Sequence, residues 1–374
     1  MSPTPEILLA ILTDLGTDHR CYKLAKSLKQ LGLKPVIYCD KPAHALGEAW
    51  EGYEVRVLTR QSHQRKFLPV FLSFLLRLTP VLWRTPARVW ISLDAPPLFW
   101  LAFWGKWRRR TVIYDSHELF LETPLVLNRS SRRVFWWLWE LGGFALISKA
   151  ITVSPAIVKR LKERHPHVDF YLLPNMPFLM PPSSLSLNRP PPVPGSQNQD
   201  IRLIFQGGLR QASGLPELFT AMISEPAFHL DVYGAGTQEA YLRQAARAAG
   251  VGERVAFQGA VPFEKLPDLI AQAHVGIHLM QPVCGSFALT WANKIFDYVQ
   301  AGVPVLLSDN PAHQELLRDF RIGVAVDSFS PEAIEKGLEA LLSDWAGFKE
   351  ECRKAHERWH WEAYAEGLRG FVES

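Results

Sequence analysis

Ala292–Asn293–Lys294–Ile295–Phe296–Asp297–Tyr298–Val299–Gln300–Ala301–Gly302–Val303–Pro304–Val305 packs the start of a helix, its end and the strand after it into one short run. Asn293 is suited to an N-cap, its side-chain oxygen accepting from the first free backbone N–H groups, and Gly302 stands where a left-handed residue closes a helix. The run therefore reads as a two-turn helix feeding a buried strand over 303–307. Ile295, Phe296 and Val299 share one side at helical spacing, while Lys294, Asp297 and Tyr298 project elsewhere. One reading of Lys294 and Asp297 is a surface i,i+3 ion pair worth roughly 0.2–0.5 kcal/mol. The other is a clamp for a ligand that is anionic at one end and rich in hydroxyls at the other, as a nucleoside-diphosphate sugar is.

Working outward, the same half of the chain repeats one pattern, a strand that ends in glycine. The strand over 201–205 runs into Gln206, Gly207, Gly208, Leu209 and Arg210, that over 229–233 into Gly234, Ala235 and Gly236, and that over 255–257 into Gln258 and Gly259. Further strands are expected over 275–279 and 322–326. Glycines after strands let backbone N–H groups approach phosphate oxygens and aim helix starts at them. Cys284, Gly285, Ser286 and Phe287 offer a further wrap for a diphosphate just before the organising helix.

The first half alternates in the same way, with strands expected over 6–12, 35–38, 53–58, 89–92, 111–114, 150–153 and 170–173 and helical patterns between most of them. Such alternation is the pattern of a doubly wound α/β domain, which binds ligands at the carboxyl ends of its strands. Two of those ends carry chemistry. The loop with Gly16, Asp18 and Arg20 opens a helix at about His19, with Tyr22, Leu24, Leu28 and Leu31 facing in and Arg20, Lys23, Lys26 and Lys29 facing out. After 111–114 come Asp115, Ser116, His117 and Glu118, where His117 either orients or deprotonates a hydroxyl, bonds a sugar hydroxyl, or serves as a capping polar residue. Asp18 and His117 are the candidate catalytic groups, and Gly16, Arg20 and Glu118 the candidate acceptor-loop residues.

Length and composition suit two or three globular domains with a sizeable core, at 374 residues, 48% hydrophobic and 21% charged. Cys21, Cys39, Cys284 and Cys352 are scattered without a CxxC spacing, so they read as reduced thiols, and no metal motif is expected. The start of the chain lacks the features of a signal peptide, and the apolar stretch 67–83, interrupted by Pro69, Arg77 and Pro80, is read as too short to cross a membrane. The cytoplasm is the expected location. Residues 1–180 hold 25 Lys/Arg against 14 Asp/Glu, a net +11, and the remainder a net −7. Within the basic half, 65–110 joins Trp83, Trp90, Trp100, Trp104 and Trp107 to Lys106, Arg108, Arg109 and Arg110. Without a nucleic-acid motif beside it, that composition suits a peripheral contact with an anionic membrane surface as well as it suits core helices with a solvated basic end. The Pro-, Ser- and Asn-dense run 181–200 reads as a link, giving a first domain over 1–175, a linker over 176–200 and a second domain over 201–356.

The shared order of these motifs resembles the retaining GT-B glycosyltransferases over nearly the whole chain. It is carried by Gly207–Gly208, Gly234–Ala235–Gly236, Gln258–Gly259 and Asn293–Lys294–Ile295–Phe296–Asp297–Tyr298 with Gly302 and Pro304, together with Tyr114–Asp115–Ser116–His117–Glu118, Pro174–Asn175 and Trp359–His360–Trp361. The resemblance implies an α/β fold of two Rossmann-like domains facing across a cleft, acceptor on the first and nucleotide-sugar on the second, with a last helix over about 357–374 returning to the first. It implies that Asp297 takes the ribose hydroxyls. Lys294, with Asn293 beside it and the backbone of Gly207, Gly208, Gly234, Gly236, Gly285, Ser286 and Phe287, would take the diphosphate, and His117 would sit near the transferred sugar. The expected partners are a nucleotide-sugar donor and a glycan or lipid-linked acceptor, with no cofactor and no nucleic acid. Three positions depart from the family's pattern: Gly208 and Ser213 replace a basic pair, for which Arg210 is the candidate substitute, and Leu289 replaces the first of two acids. The alternatives are a nucleotide-sugar epimerase of the same fold, a two-lobed binding protein without chemistry, and an inactive homologue.

Overall fold

The structure is a computed structural model and describes residues 6–13, 15, 18–40, 47–59, 67–127, 130–181, 200–281 and 283–374. Gly16, one of the expected acceptor-loop residues, and most of the expected linker lie outside them. The chain divides into two units, one of Met1–Pro174 with Tyr364–Ser374 and one of Asn175–Ala363.

The first unit runs β1 (Glu6–Ile11), α1 (His19–Gln30), β2 (Lys34–Asp40), β3 (Glu54–Thr59), α2 (Phe67–Arg84), β4 (Val89–Leu93), α3 (Ala95–Arg108), β5 (Thr111–Ser116), α4 (Pro124–Leu127), α5 (Ser130–Phe144), β6 (Lys149–Thr152), α6 (Pro155–Arg164) and β7 (Asp169–Leu172). Its parallel sheet has the order β3-β2-β1-β4-β5-β6-β7. The central strand β1 is buried from Ile7 to Ile11, as a strand covered on both faces must be. Strand order reverses at β1, between its neighbours β2 and β4, which is where a doubly wound sheet opens a crevice at its carboxyl edge.

Three expectations change here. Arg20 and Lys23 face inward on α1, because Arg20 is drawn to the buried Asp115. Helix α2 continues through Pro80 to Arg84, since a proline removes only its own N–H when the turn before it can absorb the ring. Asp115 and Ser116 belong to the strand β5 rather than to the loop after it. At the other end of the chain, Tyr171 Oη donates to the carbonyl of Tyr364 at 2.5 Å and Lys149 Nζ to that of Phe371 at 2.7 Å, tying the last residues to β6 and β7.

The second unit runs β8 (Ile201–Gln206), α7 (Leu215–Ala221), β9 (Phe228–Tyr233), α8 (Glu239–Ala248), β10 (Val255–Gly259), α9 (Leu266–Ile270), β11 (Val275–His278), α10 (Gly285–Leu289), α11 (Asn293–Gln300), β12 (Val305–Ser308), α12 (Pro311–Asp319), β13 (Gly323–Val326), α13 (Pro331–Ser343) and α14 (Trp345–His356). Short helices α15 (Trp361–Ala365) and α16 (Leu368–Glu373) end the chain. The parallel sheet has the order β10-β9-β8-β11-β12-β13, so its order reverses between β8 and β11. Leu203, Phe205, Leu230, Val232, Ile277 and Leu306 from the strands pack with Leu218, Phe219, Leu338 and Leu341 from the helices into one core.

Around the organising helix the local reading needs correcting twice. Asn293 is the first helical residue and is exposed; Ala292 precedes it and no side chain caps the helix. Tyr298 is fully buried rather than projecting: its hydroxyl accepts from Gln206 N at 3.1 Å, and its ring occupies the space that Gly276 leaves, where a Cβ would lie 2.6 Å from it. Gly302 has the expected left-handed φ of 69°, and Val303 N then bonds Tyr298 O at 2.9 Å, which delays the strand to Val305.

Candidate functional site

Residues at the carboxyl edge of the second sheet, around its switch point, come from three elements. From β8 come Gln206 and the loop Gly207–Arg210; from the stretch after β9, Gly234 and Gly236; from the connection between β11 and β12, the starts of α10 and α11. Gly207 has φ 117°, and a Cβ there would meet Lys294 Nζ at 2.9 Å, so this glycine is what allows the ammonium to reach the loop. Lys294 Nζ also stands 4.3 Å from the centre of the Phe205 ring. Burial, and after it the nearby Arg210 guanidinium, lower the Lys294 pKa to about 8, with Asp297 only partly offsetting them. Two cations have thus been placed within each other's field around a glycine loop, an arrangement that costs energy until an anion joins them.

The surface ion-pair reading of Lys294 and Asp297 gives way to different partners. Asp297 Oδ2 accepts from Gln206 Nε2 at 2.8 Å, which fixes the carboxylate beside the end of β8. Asp297 and Lys294 are half-buried, whereas Gly207, Gly208, Arg210 and Asn293 are exposed and open to a ligand.

The glycines of the neighbouring loop have a packing reason that the sequence pattern did not separate from a binding one. A Cβ at Gly234 would fall 1.9 Å from Gly207 O, and one at Gly236 would fall 2.2 Å from Leu209 O. The loops are bonded backbone to backbone, Gly207 N to Tyr233 O at 2.9 Å, Leu209 N to Ala235 O at 3.1 Å and Gly234 N to Gly259 O at 2.8 Å. Gly234 and Gly236 therefore shape the Gly207 loop, and the N–H groups of Gly207, Leu209 and Gly234 are already used. In α10, Gly285 and Phe287 are half-buried and Ser286 is buried, in a helix of one turn or so that starts after Cys284.

In the first unit, Arg20, Asp94, Asp115 and His117 form a chain at the β1–β4 switch point, buried at Arg20 and Asp115 and half-buried at His117 and Asp94. Arg20 bonds Asp115 through Nη2 at 2.6 Å and Nε at 3.0 Å, and spends Nη1 on Leu173 O at 2.9 Å. Burial disfavours the Asp115 charge, yet Arg20 and His117 outweigh it and hold the carboxyl at about 2. His117 lies between two acids, Nε2 at 3.3 Å from Asp115 Oδ2 and Nδ1 at 3.4 Å from Asp94 Oδ2. Burial opposes its charge, but Asp94 and Asp115 raise its pKa well above the ordinary value, which favours the protonated ring. A protonated ring acts as a cation or a donor, and a neutral one could also accept a proton from a hydroxyl.

Arg20 is engaged by Asp115 in the core rather than presented to an acceptor. Asp18 is the N-cap of α1, Oδ1 accepting from Cys21 N at 2.8 Å. Glu118 accepts the Ser116 hydroxyl on its backbone oxygen at 2.9 Å, its side chain half-buried.

Asp94 was missed in the sequence. It has φ 64° and ψ 174°, a backbone region that costs a residue with a side chain roughly 1–3 kcal/mol, and it stands at the end of β4 directly before Ala95–Pro96–Pro97. An acid between a strand and a Pro-initiated helix was the signal available. His278 and His313 were also missed: their rings lie 4.9 Å apart at the end of β11, and His313 Nδ1 is 2.6 Å from Ser308 O. Burial lowers both, His313 to about 4 and His278 well below its ordinary value with help from His313 and Lys294, which favours the uncharged form of each. Among the described residues no group of three or more His, Cys, Asp or Glu is disposed to hold a metal ion.

Residues 191–359 match the family of glycosyl transferases group 1, and residues 16–175 match the glycosyl transferase 4-like domain. The chain belongs to the GT-B glycosyltransferases. A curated relative, the uncharacterized glycosyltransferase MJ1607 of Methanocaldococcus jannaschii, is 27% identical over 179 residues, 46% of this chain and 44% of that protein. This match thus spans less than half the length of the relative. Among solved structures, sucrose-phosphate synthase of Thermosynechococcus elongatus superposes with a TM-score of 0.75 at 16% identity, covering 99% of this chain and 98% of that one. HepE of Anabaena, in complex with UDP and glucose, gives 0.75 at 15% identity and coverage of 98% and 99%. At such identities the likeness is one of fold, two Rossmann-like α/β units.

Proposed function

We propose that this glycosyltransferase moves a sugar from a nucleoside-diphosphate sugar to the hydroxyl of a glycan or lipid-linked acceptor, with retention of anomeric configuration. The observation that carries the donor reading is the pair Lys294 and Arg210, two cations held around the Gly207 loop with the Lys294 pKa drawn down to about 8. A diphosphate bound there relieves their repulsion, and the same charges stabilise it more strongly as negative charge builds on the leaving group. Asp297, steadied by Gln206, is an acceptor for the ribose hydroxyls. The retention in this proposal is supported by the resemblance to the retaining members of the fold.

In this reading Arg210 substitutes for the basic pair replaced by Gly208 and Ser213. His117, in its protonated form, donates to a hydroxyl or offsets negative charge. The complexes of the Anabaena neighbour with UDP make a uridine diphosphate the first ligand to test. Calorimetric titration of UDP and UMP is expected to show a clear preference for the diphosphate in the wild type. In Lys294→Ala that preference drops roughly 10- to 100-fold, the loss of one charge-assisted contact. Equal affinity for UDP in the two proteins would remove the diphosphate assignment.

A further inference from the structure

Helices α2, α3 and α5 lie side by side in the first unit, and each turns an apolar stripe to solvent. On α2 the stripe is Leu68, Leu72, Leu76 and Trp83, with Leu76 70% exposed; on α3 it is Phe103 and Trp107; on α5 it is Val134, Trp137, Leu138 and Leu141. The spacings within each stripe are those of one helical face. The opposite faces hold the helices down. Phe71, Phe74, Leu75, Leu78 and Leu82 of α2 are buried, and α5 is pressed onto α3 at Gly142 and Gly143, where a Cβ would meet Phe99 at 2.8 Å and Leu98 at 2.5 Å. Aromatic contacts knit the three helices together: Trp83 stacks on Trp107 at 4.6 Å, and Phe67 meets Trp136 at 6.0 Å.

Charge on the same helices is one-sided. They carry Arg77, Arg84, Lys106, Arg108, Arg132 and Arg133 against a single acid, Glu140, which is buried. The cations bracket the stripes, Arg132 and Arg133 at the start of α5 and Arg84, Lys106 and Arg108 at the ends of α2 and α3. Arg108 also stands over the Trp83 ring, 5.7 Å from its centre.

We propose that this three-helix face docks flat into the headgroup–acyl boundary of a bilayer containing anionic lipid. Leucine and tryptophan seat among the upper acyl chains while the arginines and lysine meet lipid phosphates around them. By length and composition α2 is a helix that could cross a membrane. Its inner face, however, is packed into the unit, and crossing would strip Phe71, Phe74 and Leu78 from their core contacts. A second copy fits the face poorly, because an isologous dimer sets the patch against itself and brings the six cations into opposition. The inference stands on the first unit alone and does not depend on the donor reading.

Flotation of the full chain with vesicles tests it, using phosphatidylcholine alone against phosphatidylcholine with about a third phosphatidylglycerol. The wild type is expected to float with the anionic vesicles, more weakly at high salt, and with a blue shift of tryptophan emission. Leu76→Asp with Leu138→Asp should lose at least tenfold in partitioning, and Arg132→Ala with Arg133→Ala should lose a similar factor and flatten the salt dependence. All four positions are on exposed faces, and unchanged circular dichroism and thermal unfolding would show the variants folded. Flotation that ignores both pairs of substitutions overturns the proposal. So does a wild-type dimer, seen by light scattering without lipid, that the leucine variant turns into a monomer while vesicles bind neither form.

Discussion

Lys294 is the residue whose titration the donor reading makes measurable. Its pKa of about 8 in the free protein means that it is mostly charged at pH 7 and mostly neutral at pH 9. A bound diphosphate favours the charged form, so binding takes up a proton near pH 8 and UDP affinity falls as pH rises through that value. Lys294→Arg should hold the affinity level from pH 7 to 9, since a guanidinium stays charged throughout. Glu140 gives the opposite kind of test. Burial raises it to about 7, with Arg164 and Tyr114 only partly offsetting, so the folded state holds a proton that the unfolded chain releases near 4.5. Stability contributed at low pH is therefore lost as pH rises from about 4.5 through 7. Glu140→Gln removes the buried charge and is expected to stabilise the protein at pH 8 by up to about 3 kcal/mol in denaturant melts, with little effect at pH 4. A further residue-scale expectation concerns Asp94: Asp94→Asn should lower the His117 pKa, read by NMR titration of the imidazole, because one of its two acids is gone.

At the scale of elements, the Arg20–Asp115 pair joins α1 to β5 and also reaches Leu173 beyond β7. Removing one member leaves the other charged and buried, so Arg20→Met or Asp115→Asn is expected to cost about 3–5 kcal/mol in chemical denaturation. Asp115, held at about 2, contributes stabilisation that is full above 3.8 and is lost progressively as pH falls from there through about 2. The strands were legible in the sequence because buried parallel strands are short apolar runs ended by glycine or polar residues, and each of them is found within a few residues of its expected place. Helix facing was less legible. Arg20 and Lys23 repeat at the spacing of outward lysines on α1, and only a carboxylate 95 positions away in the chain explains why Arg20 turns inward. Tyr298 was misjudged for the same reason, since the space it fills is made by Gly276 on another strand. The exposed stripe of α5 and the strained Asp94 depend on neighbours that no local pattern names. For the candidate site, the residue types and their order along the chain were readable. What was not readable was which glycines face a ligand and which, like Gly234, let one loop lie against another.

For the whole molecule the open choice is between moving a sugar to an acceptor and remodelling it on its nucleotide, because one fold accommodates both chemistries. The charges at Lys294 and Arg210 do not separate the two, as each begins by loosening the bond from sugar to diphosphate. The fate of the donor alone does separate them. A transferase without acceptor offers the sugar only to water, so proton NMR of a UDP-sugar with the chain is expected to show intact donor, slow release of UDP, and free sugar that first carries the donor's own anomeric configuration. A hydroxyl acceptor should then speed UDP release, and if Lys294 holds the leaving group as proposed, Lys294→Ala should slow it with or without acceptor by the same factor. Donor whose ring configuration changes while it stays on UDP would identify an epimerase. Free sugar of the opposite anomer would instead retain the transfer reading and discard retention.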